Sequence, residues 1–157
     1  MADGKPATLA AISVEPRAGS NYPPDLAVAV AGRAKRVLGD KFGLTQFGVN
    51  HVTLAPGAAS SHRHWHEIED EFVYVLEGEV TLRDDDGEHL LTAGMCAGFK
   101  AGVENGHCLV NNTERPATYV EIGTRSAGER GNYPDADLQA VKTNFKWSFT
   151  RKDGSAL

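Results

Sequence analysis

Cysteine is scarce in this chain. Only Cys96 and Cys108 occur, too few for a disulfide framework, and neither belongs to a Cys-x-x-Cys or finger-like spacing. Both are read as thiols that pack in the interior. Long apolar runs are lacking too: no window approaches the roughly 18 residues of a spanning helix, so no membrane role is expected. Basic residues are few and scattered, 16 Lys and Arg against 21 Asp and Glu for a formal net charge of −5. Phosphate-backbone binding needs them clustered, which argues against a nucleic-acid partner. The opening MADGKPATLAAISVEPRAGS has no apolar stretch behind a basic start; no secretory signal is read there, and the cytoplasm is the expected compartment. Helical periodicity is missing almost everywhere. Only residues 27–39, AVAVAGRAKRVLG, are compatible with a helix, and their valines and Gly32 weaken that reading.

What the chain has in quantity is short β-branched and aromatic runs: residues 46–55, 71–78, 79–84, 88–93, 107–111 and 117–124. Turn signals separate them, among them Ala55-Pro-Gly57, Asp85-Asp86-Gly87 and Glu104-Asn-Gly106. Strands punctuated every 8 to 12 or so residues predict an all-β sandwich or barrel. The 157 residues fit one compact domain. Residues 1–25, rich in Pro, Gly, Ala and Ser, read as an N-terminal arm lying over the surface; 26–125 as the barrel; 126–157 as a C-terminal extension. In that extension Phe145, Trp147 and Phe149 alternate on one face of a late strand. This face must cover something, either the barrel's own outer sheet or a second subunit.

Three of the six histidines crowd into one octet, SSHRHWHE at 60–67. Residues two apart share a face of an extended strand, so His62, His64 and His66 are expected to line up, with Arg63 and Trp65 opposite. The order downstream is His64-x-His66, four residues, Glu71, six residues, Gly78; after 15 residues come Gly94, then Lys100-x-Gly102, His107, three residues and Asn111. This series resembles the two sequence motifs of the cupin superfamily. The resemblance implies a double-stranded β-helix, a jelly-roll barrel, to which the composition adds the N-terminal arm and the C-terminal strand extension. It also implies one divalent transition metal per chain, held by His64, His66, Glu71 and His107. Glu71 shares strand parity with Val73 and Val75, so it faces inward, where a lone carboxylate needs a partner. Three imidazoles and a carboxylate leave part of an octahedral shell open, an arrangement suited to Fe, Mn, Ni or Zn.

Two points stay open. The pair His62-x-His64 is an alternative frame, but the acid then falls out of register, and the frame ending at His66 fits better; His62 is read as a pocket-wall residue that orients a ligand or relays a proton. In the second motif Lys100 stands where proline is usual, Met95 where an acid is common, and the gap before His107 is long, so His64, His66 and Glu71 alone are the fallback set. Tyr74, Arg83, Lys100 and Glu121 are weaker candidates near the barrel mouth, and His51 and His89 are read as structural or exposed. The expected function is a metal-dependent enzyme acting on a small oxygen-bearing substrate, of dioxygenase, isomerase or lyase type. The alternative is a binding or sensing module without turnover, since one fold hosts many functions. A homodimer is the expected assembly.

Overall fold

The computed structural model describes residues 4–144 and 146–157. Its strands, in chain order, are β1 (Arg17–Ala18), β2 (Arg33–Val37), β3 (Phe47–Leu54), β4 (Trp65–His66), β5 (Glu71–Glu77), β6 (Glu79–Asp84) and β7 (Gly87–Thr92). They continue with β8 (Cys96–Phe99), β9 (Cys108–Val110), β10 (Ala117–Thr124), β11 (Arg130–Asn132), β12 (Gln139–Thr143) and β13 (Lys146–Thr150). A four-residue helix, α1 (Pro24–Ala27), runs into a 3-10 turn at Val28–Val30. Among the described residues no helix is long and apolar enough to cross a membrane.

The strands form an all-β jelly roll. One sheet has six strands in the order β1-β2-β3-β10-β5-β8, and a second has three, β7-β6-β9. Their inner faces meet through the alternating apolar residues of each strand: Val52 and Leu54 of β3, Val73 and Val75 of β5 and Tyr119 of β10 pack against Val80, Leu82, Leu91 and Leu109. Leu54 is fully buried; trimming such a side chain to alanine costs about 2–5 kcal/mol through lost burial and the cavity left behind. Gly78 joins β5 to β6 at φ 74°, and a Cβ there would lie 3.0 Å from Pro116 O and 3.1 Å from Ala117 Cα. Only glycine makes this turn without strain.

A third sheet, β13-β12-β11-β4, ties the C-terminal segment to the histidine octet through β11–β4 pairs Gly131↔His66 and Asn132↔Trp65. Trp147 and Phe149 pack around Tyr133, Leu138 and Ala140, together with Tyr22 and Leu26. The aromatic face of the late strand thus covers the mouth of its own chain's barrel, a third solution beside the outer sheet and the second subunit. Phe145 lies outside the described residues.

Several local expectations are corrected. The stretch 27–39 is not a helix: after Val30 it becomes β2, which pairs with β3 over Arg33↔Leu54 to Val37↔Asn50. Its β-branched residues and Gly32 explain this, since backbone pairing to β3 is worth more than a marginal helix. The arm is partly woven into the sheet, Arg17 and Ala18 pairing with Lys35 and Ala34. Cys96 is exposed while Cys108 is buried; Cys96 lies opposite Tyr74, on the side of β5 that points away from the core.

Candidate functional site

The histidine octet is not one strand. Only Trp65–His66 is extended, and His64 reaches its neighbour by an isolated bridge to His107. That bridge is reciprocal: His64 N–H donates to His107 O at 3.2 Å, and His107 N–H to His64 O at 3.0 Å. Two backbone bonds therefore fix side by side two imidazoles that lie far apart in sequence. Arg63 anchors the segment from the opposite side, donating to Asp135 from Nε at 2.7 Å and to Asp85 from Nη1 at 2.8 Å. Behind His107 the Phe99 ring stacks flat, with centroids 3.5 Å apart and planes 1° from parallel. Phe99 is the register partner of Glu71 across β5 and β8, so a single strand pair places both the carboxylate and the ring that backs its neighbour. Gly106 permits the approach of the C-terminal segment here, because a Cβ would fall 2.6 Å from Pro134 Cγ.

Three imidazoles converge on one carboxylate oxygen. Glu71 Oε2 lies 3.0 Å from His107 Nε2, 3.3 Å from His66 Nε2 and 4.0 Å from His64 Nε2. Ligand atoms of His64, His66 and Glu71 all fall within 4.8 Å of one another; His107 joins them through Glu71. The cluster lines a cavity of about 360 Å³ whose walls include Lys35, Asn50, Tyr119, Glu121, Tyr133 and Trp147. That volume is within the range of small-molecule sites.

The electrostatics follow from burial and pairing. Burial pulls the His64 imidazole down to about 4. Burial also pulls on His66, but the Glu129 and Glu71 carboxylates outweigh it and hold that ring up at about 10. Burial would raise Glu71, yet its bonds to His107 and His66 keep it well below the usual carboxylate range. Burial pushes the Cys108 thiol, beside His107, up to about 11, which makes it a poor nucleophile.

These donors fit a divalent transition metal. The His64 Nδ1–H donates to His62 O at 3.0 Å, which fixes the tautomer and leaves the Nε2 lone pair turned towards Glu71. Three imidazoles and one carboxylate, all largely withdrawn from water, form the intermediate nitrogen–oxygen set that such ions prefer. His64, His66, Glu71 and His107 are the residues that would hold it.

His62 stands apart. Its imidazole Nε2 lies 2.7 Å from Leu26 O, its ring meets Tyr22 edge-on, and it does not line the cavity. The alternation argument fails for it because the backbone at 60–63 bends instead of extending. What His62 gives the site is its carbonyl oxygen, not its ring. Among the weaker candidates, Glu121 lines the cavity and Lys100 lines a second cavity of about 320 Å³ behind His66 and His107. Tyr74 is exposed, Arg83 pairs with Glu88, and His89 pairs with Asp84 at the surface.

Sequence reasoning missed the groups behind the cluster. Glu129 is fully buried; its oxygens accept N–H bonds from Glu67 at 2.9 Å and Ile68 at 3.0 Å, and Oε1 lies 3.5 Å from His66 Nδ1. It therefore clamps the turn after His66 while facing the far side of that imidazole. Glu69 and Lys142 form a buried pair at 2.6 Å, with Lys142 Nζ also 5.0 Å from the Trp147 ring centroid. Tyr133 stacks on His64 and meets Tyr22 hydroxyl to hydroxyl at 3.1 Å. The signal was faint: acids and a lysine in a segment without strong periodicity, whose partners lie some 60 to 70 residues away.

Comparison with known proteins adds to this geometry. A sequence profile of the family described as "Cupin domain" matches residues 50–123. A sugar phosphate isomerase of the cupin superfamily from Silicibacter pomeroyi is 50% identical, with 96% of each chain covered and a TM-score of 0.92. A protein of Acidithiobacillus ferrooxidans, whose name gives the same activity provisionally, is 26% identical over 80% of each chain, with a TM-score of 0.72. The polyketide cyclase RemF of Streptomyces resistomycificus, at 18% identity and a TM-score of 0.62 over 74% of this chain and 78% of its own, shares the fold alone. A search of curated proteins finds no match.

Proposed function

This chain belongs to the cupin superfamily, and from that premise we propose that it is a metal-dependent isomerase of a small phosphorylated sugar. The observation that carries the reading is the convergence of three imidazole nitrogens on Glu71 Oε2 at the wall of the main cavity. The 50% identical isomerase, matched along nearly its whole length, favours isomerisation over the dioxygenase and lyase chemistries that the residues alone leave open.

A divalent cation of the Fe, Mn, Ni or Zn type, held by His64, His66, Glu71 and His107, would supply Lewis-acid polarisation of a substrate oxygen. The chain's own residues do the rest. Glu121 Oε1 accepts bonds from Lys35 Nζ at 2.8 Å and Asn50 Nδ2 at 3.0 Å, while Oε2 has no partner among the described residues. Held in this way, Oε2 takes the proton from the hydroxyl-bearing carbon beside a substrate carbonyl to give an enediolate. It then delivers a proton, partly exchanged with solvent, to the former carbonyl carbon, while the hydroxyl proton passes to the former carbonyl oxygen. Lys35 and Asn50 keep the carboxylate oriented through both transfers. Tyr22, Tyr133, Trp147 and Phe149 close the mouth with aromatic surface, which excludes water and strengthens every charge interaction inside.

The test is incubation of metal-loaded protein with a panel of aldose phosphates in D₂O, followed by NMR. Ketose phosphate carrying deuterium at the exchanging carbon is the expected result, with Glu121→Gln lowering kcat by about 10²- to 10⁴-fold while metal content stays unchanged. Tight binding of sugar phosphates without conversion would replace this reading by a sensing module, and oxygen uptake with another substrate would replace it by a dioxygenase.

A further inference from the structure

The charged side chains that line the main cavity are almost all spoken for. Lys35 pairs with Glu121 at 2.8 Å, Arg125 with Asp40 at 2.6 Å, Glu69 with Lys142 at 2.6 Å, and Glu71 with the imidazoles. Arg33 is the exception: among the described residues it has no carboxylate within 4.0 Å. It sits at the start of β2, half-buried, where its guanidinium donates to two backbone carbonyls, Ser60 O from Nη1 and Gly19 O from Nη2 at 3.4 Å. A guanidinium has five N–H donors. The two bonds to carbonyls hold the group in place, and among the described residues no carboxylate pairs with its charge.

A second, independent feature lies in the same cavity. Tyr119, fully buried on β10, has a hydroxyl with no well-formed hydrogen bond among the described residues. A buried polar atom without a partner is costly, of order 1–3 kcal/mol, and is seldom kept without use. Arg33 and Tyr119 line this cavity together with Tyr22 and Tyr133 of its aromatic cover.

We propose that Arg33, with the Tyr119 hydroxyl, forms the subsite that docks the phosphate of the substrate, so that the sugar's carbonyl end is directed towards His64, His66, Glu71 and His107. This rests on the sugar phosphate reading above and assigns the anionic end of that substrate to one wall of the cavity. A phosphate monoester carries close to two negative charges and three acceptor oxygens at neutral pH. A planar guanidinium fork and a phenolic O–H match it in charge and in donor direction. The carboxylates nearby do not oppose it, because each has its own cation.

The probe is inorganic phosphate, titrated calorimetrically into the metal-loaded wild type and the Arg33→Gln, Arg33→Lys and Tyr119→Phe variants, each checked by circular dichroism for a native fold. Wild type is expected to bind; Arg33→Gln should weaken binding about 10- to 100-fold and Tyr119→Phe several-fold. Arg33→Lys should fall between wild type and Arg33→Gln, keeping the charge but losing the fork. If Arg33→Gln does not fold, the lysine and phenylalanine variants carry the test. His66→Ala, prepared without metal, should still bind phosphate. Binding unchanged in the Arg33 variants but lost in His66→Ala would put the anion on the metal and overturn the proposal. With substrate, KM for a sugar phosphate should rise in Arg33→Gln by about the factor by which phosphate binding weakens. Isomerisation with KM indifferent to Arg33 would sink the subsite alone, whereas phosphate binding at Arg33 with no isomerisation of any sugar phosphate would sink only the function proposed above.

Discussion

The core between the two barrel sheets and the cover across their mouth are both buried, but they are held by different forces. Between the sheets Val52, Leu54, Val75, Ala117 and Tyr119 are fully buried, and the side chains there are almost wholly apolar. In the cover, residues 126–157, the buried groups include Glu129 and Lys142, each bonded to the segment that carries the histidines. An apolar core tolerates exchange of one hydrophobe for another of similar volume. Directional contacts between buried charges do not, because removing one partner strands the other. The barrel supplies stability that is spread over many residues; the cover supplies position, concentrated in a few.

That contrast can be broken most sharply at the ligands. His66→Ala should empty the metal site, taking metal content from about one ion per chain to a small fraction of that as measured by elemental analysis of untagged protein, with activity lost alongside. A His66→Ala protein that keeps its metal would refute the ligand set. Next in size is the buried pair: Lys142→Met should lower stability in urea by about 3–5 kcal/mol, while the double variant Glu69→Gln, Lys142→Met should recover much of the loss. Equal losses in both would show that the pair itself contributes little and that packing against Trp147 carries the effect. Glu129→Gln keeps the shape but removes the charge behind His66 and can accept only one of the two N–H bonds, because its amide NH₂ is a donor. Metal affinity in a chelator competition should weaken about 10- to 100-fold, with a stability loss of about 1–3 kcal/mol from the unmet N–H. The smallest effects belong to the outer face. Arg63→Ala should cost about 1 kcal/mol or less in thermal unfolding, since its acids are exposed, and His62→Ala should leave metal content unchanged because only its carbonyl meets the cluster.

The barrel was largely legible because its strands alternate. The runs at 46–55, 71–78, 79–84 and 117–124 appear as β3, β5, β6 and β10 within a residue or so at either end, since one face had to be apolar and the other not. Strands such as Cys96–Phe99 and Arg130–Asn132 escaped notice because they are too short or too glycine-rich to show a period. The four ligand candidates were legible through motif spacing, and they do come together. Their supports were not: Phe99 behind His107 reads as an ordinary core aromatic, and Glu129 as a surface acid, until the fold brings them to the site.

Sequence alone determined the sheet class and the inward direction of Glu71, because side-chain parity along a strand is a local property that needs no partner to be read. It also narrowed the ligands to a small set, because that resemblance lies in order and spacing. Only the tertiary structure decided that His62 turns away, that the aromatic tail closes its own barrel, and that, among the described residues, Arg33 is left without a carboxylate and the Tyr119 hydroxyl without a hydrogen bond. Those outcomes depend on which distant groups satisfy one another's charges and hydrogen bonds, and pairing across the fold is written in distances that no single stretch of chain contains.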